Sequence, residues 1–593
     1  MAGRRIRLWT ILEGVLLSFS EIKVAKQPVT RRSLLKAASG AALLPLAGGT
    51  SLFSWSESAL AEQKPSTKSP VLTVDTAAQR RRWVEYAESL KPKLKDTPQL
   101  PVSIVSPVSD SSLFLRWRMD AESKGADLSK RLLHKGDQFI LDFEGHRTGN
   151  FEFRLVGEGR SVDSPVRLKL TFGEVPGDVA EPFDPYRGQL SSAWLPEEII
   201  TIDFLPQRVR MPRRYAFRYV KVEVIDTSPN FGIRFFDTKA IALTSASKQP
   251  AALPAGTPDW IVRVDQVALA TLRDCMQTTF EDGPRRDQRL WIGDLRLQAQ
   301  ASYVTFPNHD LVKRCLYLFA GLPRESDGFL PACVFEKPTP SRTDTFILDY
   351  AALYGAIVLD YAKASNDIAT ARELWPVAYR QFELLFQYVD DQGLFQIPKG
   401  YWAFIDWNMK LDRSASMQGV IIYAGRRLCE LAELTGNTAQ IKTYSALLDK
   451  MTKAAHKTYY SMDLKVCISG PDKQVSWASQ AWLTLAGCLS KEETAEALLR
   501  AVFEDKASIQ PATAYLYHHV TQAMIECGMQ GEALQLIKKY WGGMVEAGAD
   551  TFWEAYDPND SNFSPYGDVH INSFCHAWSC TPTYFFRASK LTE

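Results

Sequence analysis

From about Pro258 to the end, the chain is a succession of amphipathic helical segments, and this succession limits the fold more than any other feature. In DYAALYGAIVLDYAKAS, IATARELWPVAYRQFELLFQYV, MQGVIIYAGRRLCELAELTG and AQIKTYSALLDKMTKAAHKTYY, apolar residues recur at i, i+3 and i+4. QAWLTLAGCLS, KEETAEALLRAVFE and EALQLIKKYWGGMV continue the pattern. Gly or Asn often closes one segment and Ser or Thr opens the next, so the helices pair into hairpins joined by short loops. Roughly 330 residues leave room for about twelve helices. That number matches a closed ring of six hairpins, an (α/α)6 barrel.

The preceding texture is different. FILDFEG, FEFRLVG, VRLKLTFGE, EIITIDF, FRYVKVEVI and AIALTS are short β-rich runs divided by Gly, Pro, Asp and Asn. In VRLKLTF, Val166, Leu168 and Leu170 face one way and Arg167, Lys169 and Thr171 the other. Short alternating strands at this spacing predict an antiparallel β-sandwich. The expected domains are an export signal at 1–61, a linker with a short exposed helix at 62–109, the sandwich at 110–250 and the barrel at 251–593.

The signal reading rests on Arg31 and Arg32, an Ala- and Gly-rich apolar run, and ALA at residues 59–61. The arginine pair followed by Leu34, Leu35 and Lys36 resembles the twin-arginine type, which carries folded proteins. Cleavage after Ala61 and a periplasmic or secreted location are the expectation, with no stable membrane insertion once the signal is removed. A net charge of +1 excludes a large field directed at nucleic acid. The nine cysteines show no paired CxxC spacing, and the simplest reading is buried free thiols. Neither a metal nor a cofactor is expected. Oligomeric state is not legible.

Three loops carry residues with no obvious packing role. YWAFIDWN holds Trp402 and Trp407 beside Asp406, and GADTFWEAYDPND holds Trp553 and Glu554. EDGPRRDQRLWIGD crowds Asp282, Asp287 and Asp294 with Arg285, Arg286 and Arg289 around Trp291. Aromatic faces stack on sugar rings and carboxylates accept hydroxyl protons, so the loops suggest a carbohydrate cleft. Glycoside hydrolysis needs two carboxyl groups, one to protonate the leaving oxygen and one to attack or to activate water. Repulsion among three neighbouring aspartates can keep one protonated. Arg286 presents a planar fork to a carboxylate or a hydroxyl, Gly283 and Pro284 form a sharp turn, and Trp291 walls the sugar site.

Asp282, Gly283, Pro284, Arg286, Asp287, Trp291, Gly293 and Asp294 resemble the signature of bacterial α-L-rhamnosidases of glycoside hydrolase family 78. FEFRLVGEGRSVDSPVRLKLTFGEV with RRYAFRYVKVEV is similar to the sandwich that precedes the family's barrel. TFWEAYD is similar to the late loop bearing its second carboxylate, and FCHAW places His576 where the family has a substrate-binding histidine. The resemblance implies inversion of the anomeric centre, with Asp287 as general acid and Glu554 as general base. It implies a sugar subsite formed by Asp282, Arg286, Trp291, Asp294 and His576, to which the aromatic loops add Trp402, Trp407 and Trp553. Three positions depart from the family pattern. Asp287 stands in place of Glu, Gly283 in place of Cys, and Leu290 in place of the Gly before the tryptophan. No C-terminal sandwich follows His576 in the sequence. Two alternatives stay open: another barrel enzyme acting on uronic-acid polysaccharides, as a lyase or an unsaturated-uronyl hydrolase with Tyr556, Tyr566 and His570 as candidates, or a non-catalytic carbohydrate-binding protein.

Overall fold

The computed structural model describes residues 76–592. The expected signal and its cleavage site lie outside the described residues. The first element, helix α1 (Ala77–Ser89), opens on Thr76, whose hydroxyl accepts the Gln79 N–H. It was expected to be exposed. Instead it buries Trp83 and Ala87 against a barrel helix, and the Trp83 indole N–H donates to Glu373 at 2.6 Å.

The sandwich comprises β1 (Lys95–Gln99), β2 (Ser103–Ser109), β3 (Trp117–Lys124), β4 (Gln138–Gly159), β5 (Val166–Gly173), β6 (Glu197–Ile202), β7 (Gln207–Arg210), β8 (Tyr215–Asp226) and β9 (Phe231–Thr244). Every pairing is antiparallel, and the main order is β1-β9-β4-β8-β5-β6. The 22-residue β4 pairs with β8 along its first half and with β9 along its second, so one strand serves both layers. Its inward phenylalanines Phe143, Phe151 and Phe153 join Phe172, Phe217 and Phe235 in an aromatic core. The sheet starts at Lys95, inside the segment expected to be a linker. β1 is an edge strand with a proline and a mostly exposed side-chain pattern, so it carries none of the alternation that marks the central strands.

The barrel follows. Its inner helices are buried over most of their surface: α2 (Ile292–Val304), α3 (Leu348–Ser365), α4 (Ser414–Thr435), α5 (Trp477–Leu485) and α6 (Ala514–Glu526). Helices buried all round must sit inside a larger assembly. The outer helices Asp259–Cys275, Ile368–Phe386 and Thr438–Tyr459 bury one stripe and expose the other, while His309–Gly321 is covered by α1 and almost wholly buried. The ring closes where the turn Ala577–Cys580 and helix Pro582–Ala588 pack between the first and last inner helices. Sandwich and six-hairpin barrel therefore stand as expected. Among the described residues no helix is long and apolar enough to cross a membrane. All nine cysteines are unpaired, and Cys429 and Cys527 are only half-buried.

Candidate active site

The acid-rich loop leaves helix Asp259–Cys275 and closes on itself. The Asp282 N–H donates to the Arg289 carbonyl at 3.0 Å, and the Arg289 N–H donates to the Asp282 carboxyl at 3.0 Å. Between them Asp287 (φ 61) and Gln288 (φ 52) take the left-handed conformation that a tight reversal requires. Leu290 and Trp291 then pair with Cys333 and Val334, and α2 begins. Gly293 lies under the Tyr350 ring, where a Cβ would come within 2.4 Å of it. A Cβ on Gly283 would meet the Ser573 hydroxyl at 2.6 Å, so the Gly-Pro turn packs directly on the late loop.

That late loop is pinned by its backbone. The Glu554 N–H donates to Ser573 O at 2.9 Å, the Trp578 indole donates to Glu554 O at 2.9 Å, and the His576 N–H donates to Phe552 O at 2.8 Å. The Glu554 side chain is buried, receives the Tyr566 hydroxyl on one oxygen, and is paired with Arg286 on the other. Burial pushes this carboxyl up, but Arg286, His576 and the Tyr566 hydrogen bond outweigh it and hold Glu554 below the ordinary glutamate range. The same Arg286 faces Asp287 at 3.7 Å through its other terminal nitrogen, and its guanidinium lies 4.6 Å from the centre of the Tyr566 ring. One buried fork thus serves both predicted carboxylates.

Asp282 behaves differently. Burial, then the charges of Asp287 and Asp294, push its carboxyl well above the usual aspartate range. The repulsion expected among the three aspartates thus falls on Asp282. Asp294 is also raised by burial, opposed by His576, which stands 3.3 Å away without hydrogen-bond alignment. The buried Trp291 and Trp407 indole nitrogens, one Asp294 oxygen and both His576 nitrogens have no hydrogen-bond partner within the protein. An unpaired buried polar group costs about 1–3 kcal/mol, so such groups around one charged pair mark a polar ligand's place.

Trp407 meets Tyr566 edge-on at 5.7 Å and Trp402 at 5.7 Å. Their loop is strained: Ile405 is β-branched and has φ 52. Asp349 holds it by accepting the N–H groups of Phe404 at 2.8 Å and Ile405 at 3.1 Å. Asp406 accepts from Ala512 N, Thr513 N and the Thr513 hydroxyl, so it anchors the loop rather than facing the cleft. Trp553 does not join the site. It is buried among Phe114, Tyr556 and Phe574, whereas the Glu554 carboxyl meets Arg286 and Tyr566. His576 has both aspects, with its ring 4.3 Å from Trp578 and its edge toward Asp294.

The sandwich also grips the site. Arg214 binds Glu281 with two hydrogen bonds of 2.9 and 2.7 Å. Asp178 binds Arg285 through both oxygens, and Arg285 also donates to His570 O at 2.7 Å. Burial pushes Asp178 up, but Arg285 and then His570 hold it at about 2. Glu174 accepts the Phe574 N–H at 2.7 Å and meets His146 at 2.9 Å, and His146 meets Asp274 at 2.7 Å. His570 faces Asp178 and Glu181, and the Tyr566 hydroxyl is committed to Glu554, so neither is placed as a free lyase base.

Two family models match the chain. The glycosyl hydrolase family 78 alpha-rhamnosidase N-terminal domain matches residues 101–242, and the bacterial alpha-L-rhamnosidase 6 hairpin glycosidase domain matches residues 259–589. The chain belongs to the α-L-rhamnosidases of glycoside hydrolase family 78. It is similar to a rhamnosidase from Klebsiella oxytoca solved with rhamnose bound, at 41% identity and TM-score 0.83, over 86% of this chain and 99% of that one. A family 78 rhamnosidase of Bacillus sp. GL1 shares the fold at 20% identity and TM-score 0.68, over 80% of this chain and 49% of that one. An α-L-rhamnosidase of Streptomyces avermitilis, complexed with L-rhamnose, does so at 16% identity and TM-score 0.61, over 84% and 44%. No curated protein matches the chain. This family 78 chain is accordingly a glycoside hydrolase, and the binding-protein and lyase alternatives fall away.

Proposed function

We propose that the enzyme releases terminal α-L-rhamnose with inversion, Asp287 protonating the leaving oxygen and Glu554 activating the attacking water. The observation that carries this reading is the shared guanidinium of Arg286. Glu554 is held ionised on one terminal nitrogen and Asp287 lies against the other. Two carboxyl groups on one fork have nearest oxygens no more than roughly 8 Å apart, compatible with the ~6.5–9.5 Å at which an inverting pair admits a water. Glu554 takes a proton from water as its oxygen bonds to the anomeric carbon, and the glycosidic bond breaks as Asp287 gives its proton to the departing oxygen. Asp294, His576, Trp291 and Trp407 orient the ring through the polar atoms that lack protein partners, and Asp282 stands beside them with its carboxyl on the Arg289 N–H. Export by the twin-arginine route to the periplasm or beyond belongs to the same reading and rests on Arg31, Arg32 and residues 59–61.

The test is hydrolysis of a panel of chromogenic glycosides, α-L-rhamnoside first, by wild type, Asp287→Asn and Glu554→Gln, with the anomer of released sugar followed by NMR. Loss of ~10²–10⁴-fold in both variants and first appearance of the inverted anomer are expected. Retention of configuration, or full activity in either variant, refutes the assignment. Asp282 has the most strongly raised carboxyl of the loop, which favours a second reading in which it donates the proton. An acid variant loses least on a leaving group that needs no protonation. Comparing Asp282→Asn with Asp287→Asn on nitrophenyl and methyl rhamnosides therefore separates the two.

A further inference from the structure

We propose that the sandwich loop 182–194 walls the leaving-group side of the pocket, and that Trp194, with Arg289 and Phe335, forms a platform for a flat aromatic aglycone. The proposal rests on the reading of Asp287 as the acid. A proton donor must lie beside the departing oxygen, so the leaving group sits on the Asp287 side of the sugar.

Exposure within the site points the same way. The side chains of Arg286, Glu554, Asp294 and His576 are 2 to 4% exposed, whereas Asp287 is 15% and Arg289 26% exposed. The site is thus deep at Asp294 and His576 and opens at Asp287 and Arg289. One ring fills the blind end, and whatever is attached to it leaves past Arg289.

Arg289 is built into a stack. It faces Asp287 at 3.6 Å, and its guanidinium lies 4.5 Å from the Phe335 ring centre and 5.8 Å from that of Trp194. Trp194 comes from the sandwich, about a hundred residues before the acid loop, on a single turn at Ser192–Trp194. The loop that carries it is tied to the catalytic segment: the Gln189 N–H donates to Tyr566 O at 2.8 Å and the Arg187 N–H to the Asp568 carboxyl at 3.0 Å. The Tyr186 hydroxyl closes the loop on Leu190 O at 2.8 Å. A wall fixed to the residue that holds Glu554 is fixed relative to the reaction. Half-exposed rings flanking a planar cation offer flat apolar surface, which suits an aromatic ring better than an aliphatic alcohol.

The experiment compares wild type, Trp194→Ala and Trp194→Phe on 4-methylumbelliferyl α-L-rhamnoside, methyl α-L-rhamnoside and a rhamnosyl-glucose disaccharide, with inhibition by free rhamnose measured alongside. For Trp194→Ala, KM on the umbelliferyl glycoside should rise about tenfold, the order of one stacking contact. Methyl rhamnoside kinetics and rhamnose inhibition should stay unchanged, and Trp194→Phe should restore most of the loss. Equal losses on all substrates together with weaker rhamnose inhibition would show a merely structural residue and overturn the proposal. A loss confined to the disaccharide would overturn the aromatic aglycone in favour of a sugar, and no change in KM on any substrate would overturn the platform. Wild type that hydrolyses none of the three fails the functional reading itself, and the proposal with it.

Discussion

Replacing Asp178 by Asn neutralises one half of the ion pair between the sandwich and the acid loop at nearly constant shape. Arg285 has 2% of its side chain exposed, and in the variant it faces a neutral amide in place of the carboxylate, with Glu174 at 3.7 Å and the His570 carbonyl as its other partners. Removing one partner of a buried pair costs about 3–5 kcal/mol, and the residual partners place this case near the lower bound. Linkage gives a similar size. A carboxyl at about 2 in the folded protein against an ordinary value of 3.8 contributes ~2.5 kcal/mol at neutral pH. Because the folded value is depressed, this stability is complete above about pH 4 and is lost as pH falls through 2. At ~2.1 cal/mol/K per residue, a loss near 3 kcal/mol lowers the thermal midpoint of a chain this size by roughly 3 °C. The assay is a thermal scan of both proteins at pH 7 and at the lowest pH each tolerates, with turnover at 25 °C. The wild type and variant midpoints should converge toward acid, and turnover should fall because Arg285 precedes Arg286, which holds Glu554. An unchanged midpoint at pH 7 with unchanged turnover would refute the reasoning that this pair carries load at the seam.

Two further outcomes follow from the charges in the cleft. Asp282→Asn should raise the midpoint at pH 7 to 8 while depressing activity. The folded Asp282 carboxyl is raised, so wild-type stability falls as pH rises from the ordinary aspartate value toward the folded one, and Asn removes that slope while still accepting the Arg289 N–H. Scans across pH 5 to 8 check it. Tyr566→Phe deletes a hydrogen bond that lowers the Glu554 pKa, so the acidic limb of the kcat/KM profile should move up by about one pH unit, as removal of a charge-assisted hydrogen bond predicts.

The barrel was legible because its helices repeat one pattern many times, and a strict 3.6 period survives local exceptions such as Pro376 inside Ile368–Phe386. The central strands were legible for the same reason at period two. β1 and β2 were not: β1 is an edge strand with a proline, and β2, though flanked by β3 and β4, also carries a proline and buries only Ile104 and Val105, so neither shows alternation. The acid loop announced itself because charge, glycine and tryptophan rarely coincide without a job. Trp553 misled because adjacency to Glu554 suggested a shared cleft, whereas its ring packs among Phe114, Tyr556 and Phe574 and the Glu554 carboxyl meets Arg286 and Tyr566. The Tyr566 contact with Glu554 lay twelve residues downstream, in a loop with no periodicity to signal which way its ring turns. Trp194 and Asp178 were beyond reach, because long-range contacts of a sandwich loop leave no local trace.

The chain of hydrogen bonds from Asp274 through His146 and Glu174 to the Phe574 N–H, with Arg285 on Asp178, ties the two modules together at the seam. A barrel grafted onto a foreign sandwich would leave Arg285 without its Asp178 carboxylate and the Phe574 N–H without its acceptor, at the loops that hold the proposed catalytic carboxylates. Recombination among relatives should therefore succeed only where the donor sandwich brings its own counterparts of His146, Glu174 and Asp178. A shuffled library sorted for activity should then carry that seam as a block that travels intact.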